Sequence, residues 1–254
     1  MPAPSVSELP QSYFEKQTAR TVAVLQRIIN RSPPGLGRVI PDAEALSIHD
    51  GRRLESSVVM FLDISKFSDR PACTAEEQNV LLQILSLFFT EMIKIIEDYD
   101  GVVEKNTGDG LMAYFVPNPG EMPPVQQRAL SAALTMFTAA EKLINPILVQ
   151  SNIEPINFRI CMDHGPITVA KVGAARGFNG IVAIGTTANI ASKMLAFADQ
   201  NTILVGEKML DGLPPEWVRR FVQFKTQDTG WIYRESLKPY AFWLYTGRWI
   251  GAFL

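Results

Sequence analysis

The sequence predicts an α+β protein: a largely antiparallel sheet with helices packed against one side, preceded by a helical extension. Apolar runs of strand length alternate with longer runs of helical period. Two of the short runs are joined by the tight segment Asn106-Thr107-Gly108-Asp109-Gly110, which reads as a hairpin. The resulting order of strand, helix, hairpin, helix, strand pair, helix and strand suits a sheet covered by helices.

The elements follow from local signals. Tyr13 to Ile29 carries Phe14, Val22, Leu25, Ile28 and Ile29 near helical spacing, and Ser32-Pro33-Pro34-Gly35-Leu36-Gly37 breaks that helix. Residues 1–50 are thus expected as an extension, either packed on its own domain or serving as a dimerisation or regulatory arm. The main domain is expected over 51–254. Ser57-Val58-Val59-Met60-Phe61-Leu62 reads as a buried strand ending at Asp63. Thr74 with Glu77 is a capping box that opens a helix through Ile96. Val102 to Lys105 and Leu111 to Phe115 form the hairpin, with Asp109 at its tip. A helix is expected over 124–143 and a strand over 157–162. A turn at His164-Gly165-Pro166 should separate that strand from another over 167–172. After the Gly-rich stretch 173–180, Thr187 to Ala198 reads as a helix, and 202–205 and 242–245 as strands.

A net charge of −2 gives no bulk attraction for nucleic acid or acidic membranes. Cys73 and Cys161 have neither metal spacing nor a disulfide pattern, which fits a reducing cytosol. The apolar stretch Leu81–Ile96 contains Gln83, Glu91 and Lys94 and is too short to span a bilayer, and no signal peptide precedes it. A cytoplasmic protein without a membrane partner is the expectation.

Chemistry points to Asp63 and Asp109. Two carboxylates at adjacent strand ends suit a pair of hard divalent cations, Mn2+ or Mg2+, which take oxygen ligands and keep waters and phosphates. Such a pair can clamp the attacking and leaving oxygens of a phosphoryl displacement. The Ile64 carbonyl could complete one shell. Taken singly, each aspartate would more commonly cap a turn. His164, before Gly165-Pro166, reads as structural.

The surrounding residues carry a resemblance. Phe61-Leu62-Asp63-Ile64-Ser65-Lys66-Phe67-Ser68, Lys105-Asn106-Thr107-Gly108-Asp109-Gly110-Leu111-Met112-Ala113 and Gly185-Thr186-Thr187-Ala188-Asn189-Ile190-Ala191-Ser192-Lys193-Met194 resemble, in order, the three motifs of the class III nucleotidyl cyclases. The resemblance implies a ferredoxin-like cyclase domain that forms a head-to-tail homodimer with two shared active sites. It implies that Asp63, Ile64 and Asp109 of one protomer bind two metal ions, and that the backbone around Phe67 and Ser68 cradles the phosphates. From the partner protomer, Asn189 would orient the ribose and Lys193 would stand where the family usually has an arginine. Lys105 and Val182 fall at the base-reading positions, and Lys238 would address the terminal phosphates.

The departures bear on the substrate. Val182 cannot accept a hydrogen bond from adenine, and Lys105 stands where guanylate cyclases carry Glu. A buried unpaired amine on the base would cost about 1–3 kcal/mol. Lys105 is a donor only and suits O4 of uracil better than N4 of cytosine. The pattern is most similar to the stand-alone bacterial pyrimidine cyclases of Pycsar anti-phage signalling. The resemblance implies UTP as favoured nucleoside triphosphate, CTP next, and a cyclic UMP product read by a separate effector protein. Adenylate cyclase activity is one alternative. A catalytically silent nucleotide-binding module is another, suggested by Lys193, unless Arg176 or Arg234 supplies the missing cation. Diguanylate cyclases are set aside for want of their G-G-[DE]-E-F signature, and a two-metal phosphatase because the third motif would have no task.

Overall fold

The computed structural model describes residues 9–30, 51–106, 108–117, 123–175, 178–223, 229–233 and 237–251. The break expected at Ser32–Gly37, and Arg176 and Arg234, lie outside them. The first element, α1 (Gln11–Ile29), lies along α2 (Ala75–Asp98) and puts Phe14 into the main core, beside Leu9 from the segment just before it. Arg20 fixes the pair: its Nε and Nη2 donate to both oxygens of the buried Glu91 at 2.9 and 2.7 Å, and Nη1 donates to Asp98 at 2.8 Å. A buried carboxylate is tolerated because it is fully paired. The expected capping box opens α2: Thr74 Oγ1 accepts from the Glu77 amide, and Glu77 accepts from the Thr74 amide.

Eight strands among the described residues make one sheet. They are β1 (Gly51–Ile64), β2 (Gly101–Asn106), β3 (Gly110–Phe115), β4 (Phe158–Ala175), β5 (Phe178–Ile184), β6 (Ile203–Gly206), β7 (Phe221–Gln223) and β8 (Phe242–Tyr245). The order is β2-β3-β1-β4-β6-β8-β7, with β5 folded back on β4. Every pairing is antiparallel except β4 with β6.

Helices α2 and α3 (Val125–Ala139), the latter continued by a π-helical stretch Ala140–Ile144 and α4 (Asn145–Gln150), cover one face. Val58, Met60, Leu62 and Ile64 of β1 point into that layer, where Phe137 stacks on Phe158 at 4.3 Å between centroids. Both helical stretches, Ala75–Asp98 and Val125–Gln150, are long and apolar enough to cross a membrane by composition. Here their apolar faces build the core.

Two expectations are corrected. The helices do not all lie on one side: α5 (Thr186–Met194) packs on the opposite face, where Ala188, Ile190, Ala191 and Met194 meet Val59, Met112, Cys161 and Leu204. The central strands are apolar on both faces, so each face must be covered. Nor does His164-Gly165-Pro166 turn the chain, because β4 runs straight through it. Ser57 pairs with Gly165 and Leu54 with Ile167, so Pro166 lies opposite a bulge at Glu55-Ser56. A bulge is where a residue without an N–H can sit inside a sheet. The Pro166 carbonyl accepts from Thr187 Oγ1 at 3.0 Å, pinning α5 to the strand.

Candidate active site

Asp63 ends β1, paired with Gly110 of β3 on one side and Arg159 of β4 on the other. Asp109 occupies the β2–β3 turn beside it, and the Ile64 amide donates to the Asp109 carbonyl at 3.0 Å. The turn is shaped by Gly108, whose φ of +93° suits glycine and whose amide donates to Asn106 Oδ1 at 2.7 Å. Backbone pairing therefore brings together two aspartates that the sequence separates by two elements. Strand alternation puts Asp63 on the face of Val59 and Phe61, the face covered by α5.

After Ile64 the Ser65 amide donates to Asn157. Lys66 then adopts the left-handed conformation (φ 55°, ψ 30°) and turns the chain into a 3-10 segment, Phe67–Asp69. Strained residues of this kind cluster at ligand clamps. Phe67 packs half-buried against the core, Ser68 is exposed, and the amides of residues 66–68 make no backbone hydrogen bond among the described residues.

Among the described residues no third carboxylate, histidine or cysteine joins Asp63 and Asp109. This donor set of two carboxylates and neighbouring carbonyls fits hard divalent cations that complete their shells with water and phosphate, and would suit a soft metal poorly.

Arg159 is the contact that sequence reasoning missed. Its Nε donates to Asp63 Oδ2 at 2.9 Å, its Nη2 forms an ion pair with the same oxygen at 2.7 Å, and its Nη1 donates to the Ala198 carbonyl at 3.1 Å. No motif marks Arg159; only the β1–β4 register places it opposite Asp63.

The third motif lies on α5. Asn189 and Lys193 are exposed there, and Lys193 Nζ sits 5.9 Å above the Trp231 ring. Trp231 opens a loop closed by the Tyr240 amide on the Trp231 carbonyl and by the Tyr233 amide on the Lys238 carbonyl. Lys193 and the loop bearing Lys238 are therefore neighbours. Lys105 pairs with Met112 on β2, and Val182 with Ala170 on β5. The β2 and β5 strands lie close together within the chain.

The 231–240 loop is anchored from below. Asp163, buried on β4, accepts from the Tyr240 hydroxyl at 2.6 Å, and Tyr233 donates to Glu207 at 2.6 Å. A Cβ on Gly206 would overlap both Asp163 and the Tyr240 hydroxyl. Burial pushes the Asp163 carboxyl up to about 7, against the opposing effect of that hydrogen bond. His164 is held below its ordinary range by burial and bonds Ser56 Oγ through Nε2 at 2.8 Å.

Asp163 sets a pH dependence. Its folded pKa is raised above the unfolded value of 3.8, so its contribution is fully present below that value and is lost as pH rises through about 7. In Asp163→Asn this dependence disappears. Relative to wild type the variant should gain on the order of a few kcal/mol between pH 4 and pH 8. Thermal melts of both proteins across that range check it, and a constant offset between them would refute it.

An antiparallel sheet ending in paired carboxylates beside open loop amides offers the donors that hard cations and phosphate oxygens take. Residues 51–244 match the model of the adenylate and guanylate cyclase catalytic domain, and the chain belongs to that family. It is similar to a cytidylate cyclase of Escherichia coli, 27% identical over 169 residues, 64% of this chain and 37% of that protein. It is also similar to a uridylate cyclase of Burkholderia cepacia, 24% identical over 172 residues, 66% of this chain and 72% of that one. The chain thus spans little more than a third of the E. coli protein. Among solved structures, the guanylate cyclase domain of RhGC from Catenaria anguillulae in complex with GTP superposes with a TM-score of 0.61 at 19% identity, covering 78% of this chain and 99% of that one. The guanylyl cyclase Cya2 gives 0.62 at 16% identity, covering 81% and 96%. These likenesses show the fold.

Proposed function

We propose that the protein is a pyrimidine nucleotidyl cyclase, converting UTP, with CTP next, to the 3′,5′-cyclic nucleotide and pyrophosphate. The observation that carries the reading is the meeting of Asp63 and Asp109 at one sheet end, through the Ile64–Asp109 hydrogen bond. Asp63, Asp109 and the Ile64 carbonyl would hold two divalent cations, Mg2+ or Mn2+. When bound, these supply positive charge to the attacking and leaving oxygens.

The chain's own groups do the rest. The amides around Phe67 and Ser68 receive phosphate oxygens. Asn189 orients the ribose and Lys193 neutralises charge on the transferring phosphoryl group, both offered to the partner's half of a shared site in a homodimer. Lys238 addresses the terminal phosphates. The 3′-oxygen then bonds to the α-phosphorus, the bond to the bridging oxygen breaks, and pyrophosphate leaves with the hydroxyl proton passing to solvent.

Base choice rests on Lys105 and Val182. Lys105 offers only donors, which suits O4 of uracil, and Val182 offers no acceptor to adenine. Relatives named cytidylate and uridylate cyclase support the pyrimidine reading. In this reading the protein is cytoplasmic and its product is an anti-phage second messenger, detected by a separate receptor.

An equimolar mixture of ATP, GTP, CTP and UTP with Mn2+ should yield predominantly cyclic UMP, at least tenfold over cyclic AMP, by mass spectrometry. A tenfold preference corresponds to about 1.4 kcal/mol, within the cost of one unpaired polar group on the base. Predominance of cyclic AMP would overturn the base assignment. Inactivity with all four would favour a nucleotide-binding module instead.

A further inference from the structure

We infer that Trp231 is a positioning residue for Lys193: its ring face holds the lysine ammonium in place on the flank of α5, so that a lysine can act without a planar fork of donors. The inference rests on the cyclase reading, which gives Lys193 the task of neutralising charge on the transferring phosphoryl group.

The ring is fixed independently of Lys193. Phe197, in the 3-10 turn Leu195–Phe197 that follows α5, meets Trp231 edge-to-face at 5.5 Å between centroids. Phe242 of β8, itself buried, lies against the same ring at 5.9 Å. The backbone is tied on both sides: the Trp231 amide donates to Thr229 Oγ1 at 3.2 Å, and its carbonyl accepts from the Tyr240 amide at 2.8 Å. Trp231 thus belongs to the packed layer around α5, half-buried, with Lys193 Nζ 5.9 Å from its ring centroid. A cation within about 6 Å of an aromatic face is attracted by the ring quadrupole, and tryptophan gives the strongest such contact. Among the described residues no carboxylate forms an ion pair with Lys193, so the ring is what holds it.

The need for a holder follows from the side chain. Lysine carries a compact charge on a flexible four-carbon stem, without the rigid fork that orients an arginine on phosphate oxygens. Fixing that stem costs side-chain entropy, and a ring already in place reduces what must be lost as the transition state forms. An ammonium has three N–H donors, so contact with one ring face leaves donors for phosphoryl oxygens. Asn189 sits one turn before Lys193 on the same exposed flank of α5. The ring therefore fixes the cation next to the residue that orients the ribose.

Two other roles make different predictions. If Trp231 only anchored the loop bearing Lys238, its removal would raise KM for the triphosphate, and would do so with or without Lys193. If the ring parked the lysine away from the substrate, its removal would raise kcat.

The experiment measures kcat and KM of full-length protein with Mn2+ and the triphosphate it turns over fastest. The proteins are wild type, Trp231→Leu, Trp231→Tyr, Lys193→Ala and the double variant Trp231→Leu/Lys193→Ala. Trp231→Leu should lower kcat about three- to tenfold while KM stays within about twofold of wild type. Trp231→Tyr keeps a ring face and should retain most of kcat. In the Lys193→Ala background the change to leucine should cost nothing further. If Trp231→Leu fails to fold, a ring-fluorinated tryptophan inserted at 231 decides, since it keeps the shape, weakens the ring face and should lower kcat alike. A second readout needs no nucleotide. In protein labelled with 13C-lysine, the ε-methylene signal that vanishes in Lys193→Ala should lie upfield of the other lysines and return to their range in Trp231→Leu. Unchanged or raised kcat, a change confined to KM, or an equal loss in the Lys193→Ala background overturns the positioning role while leaving the cyclase reading intact. Absence of the upfield shift overturns the contact itself. A wild type that shows the shift yet cyclises no nucleotide overturns the cyclase reading, and the catalytic part of the inference with it.

Discussion

Asp63→Ala and Asp109→Ala should each reduce product formation about a thousandfold or more while leaving the fold intact. A cation pair contributes several kcal/mol of transition-state stabilisation, and each ~1.4 kcal/mol is a factor of ten in rate. Losing one of two carboxylates removes the anionic oxygens that hold the pair, since no third acidic, histidine or cysteine ligand stands beside them among the described residues. The fold has less at stake. The bonds that define the site's backbone, Ile64 amide to Asp109 carbonyl and the pairing of β1 with β3 and β4, involve no aspartate side chain. Asp63→Ala frees Arg159, which is partly solvated and still bonded to Ala198. Melting temperatures should therefore move little for either variant. Product is quantified by mass spectrometry with Mn2+ in excess. Retention of more than a tenth of wild-type turnover by either variant would remove that residue from the metal site.

The second large effect is recovery. Asp63→Ala and Asn189→Ala, each nearly inactive alone, should regain activity when mixed under conditions that allow subunit exchange. In a head-to-tail homodimer each site takes its aspartates from one protomer and its asparagine from the other. A mixed dimer therefore concentrates both lesions in one site and leaves the second wild type. Random exchange makes half the dimers mixed, each with one working site, so about a quarter of wild-type activity is the ceiling. Asp63→Ala with Asp109→Ala puts its two lesions in different sites. In every mixed dimer of that pair both sites carry a lesion, so no recovery is expected. Equal recovery in both mixtures, or none in either, would contradict shared sites assembled from Asp63 and Asn189 of opposite protomers.

Much of the frame was legible in the residues. The Thr74–Glu77 box placed the start of α2 to within a residue, because a capping box is a local exchange of two hydrogen bonds. The Gly108-Asp109-Gly110 turn was equally local: a positive φ at Gly108 and an Asn106 side chain folding onto its amide need nothing from the rest of the chain. Where sequence reasoning failed, the deciding partner lay far away. Gly165-Pro166 has the composition of a turn, yet it continues a strand because a bulge at Glu55-Ser56 faces it. The short β7 and the returning β5 were missed for the same reason, since their neighbours and not their own periodicity make them strands.

By itself, then, the sequence determined the three motifs that single out candidate residues and where many of the elements lie. Capping, turn conformation and apolar period act over a few residues. Only the tertiary structure decided that α5 covers the second face of the sheet and that Arg159 grips Asp63. Both depend on strand register, which brings Arg159 to Asp63 across 96 positions, and register is a property of the whole sheet rather than of any segment within it.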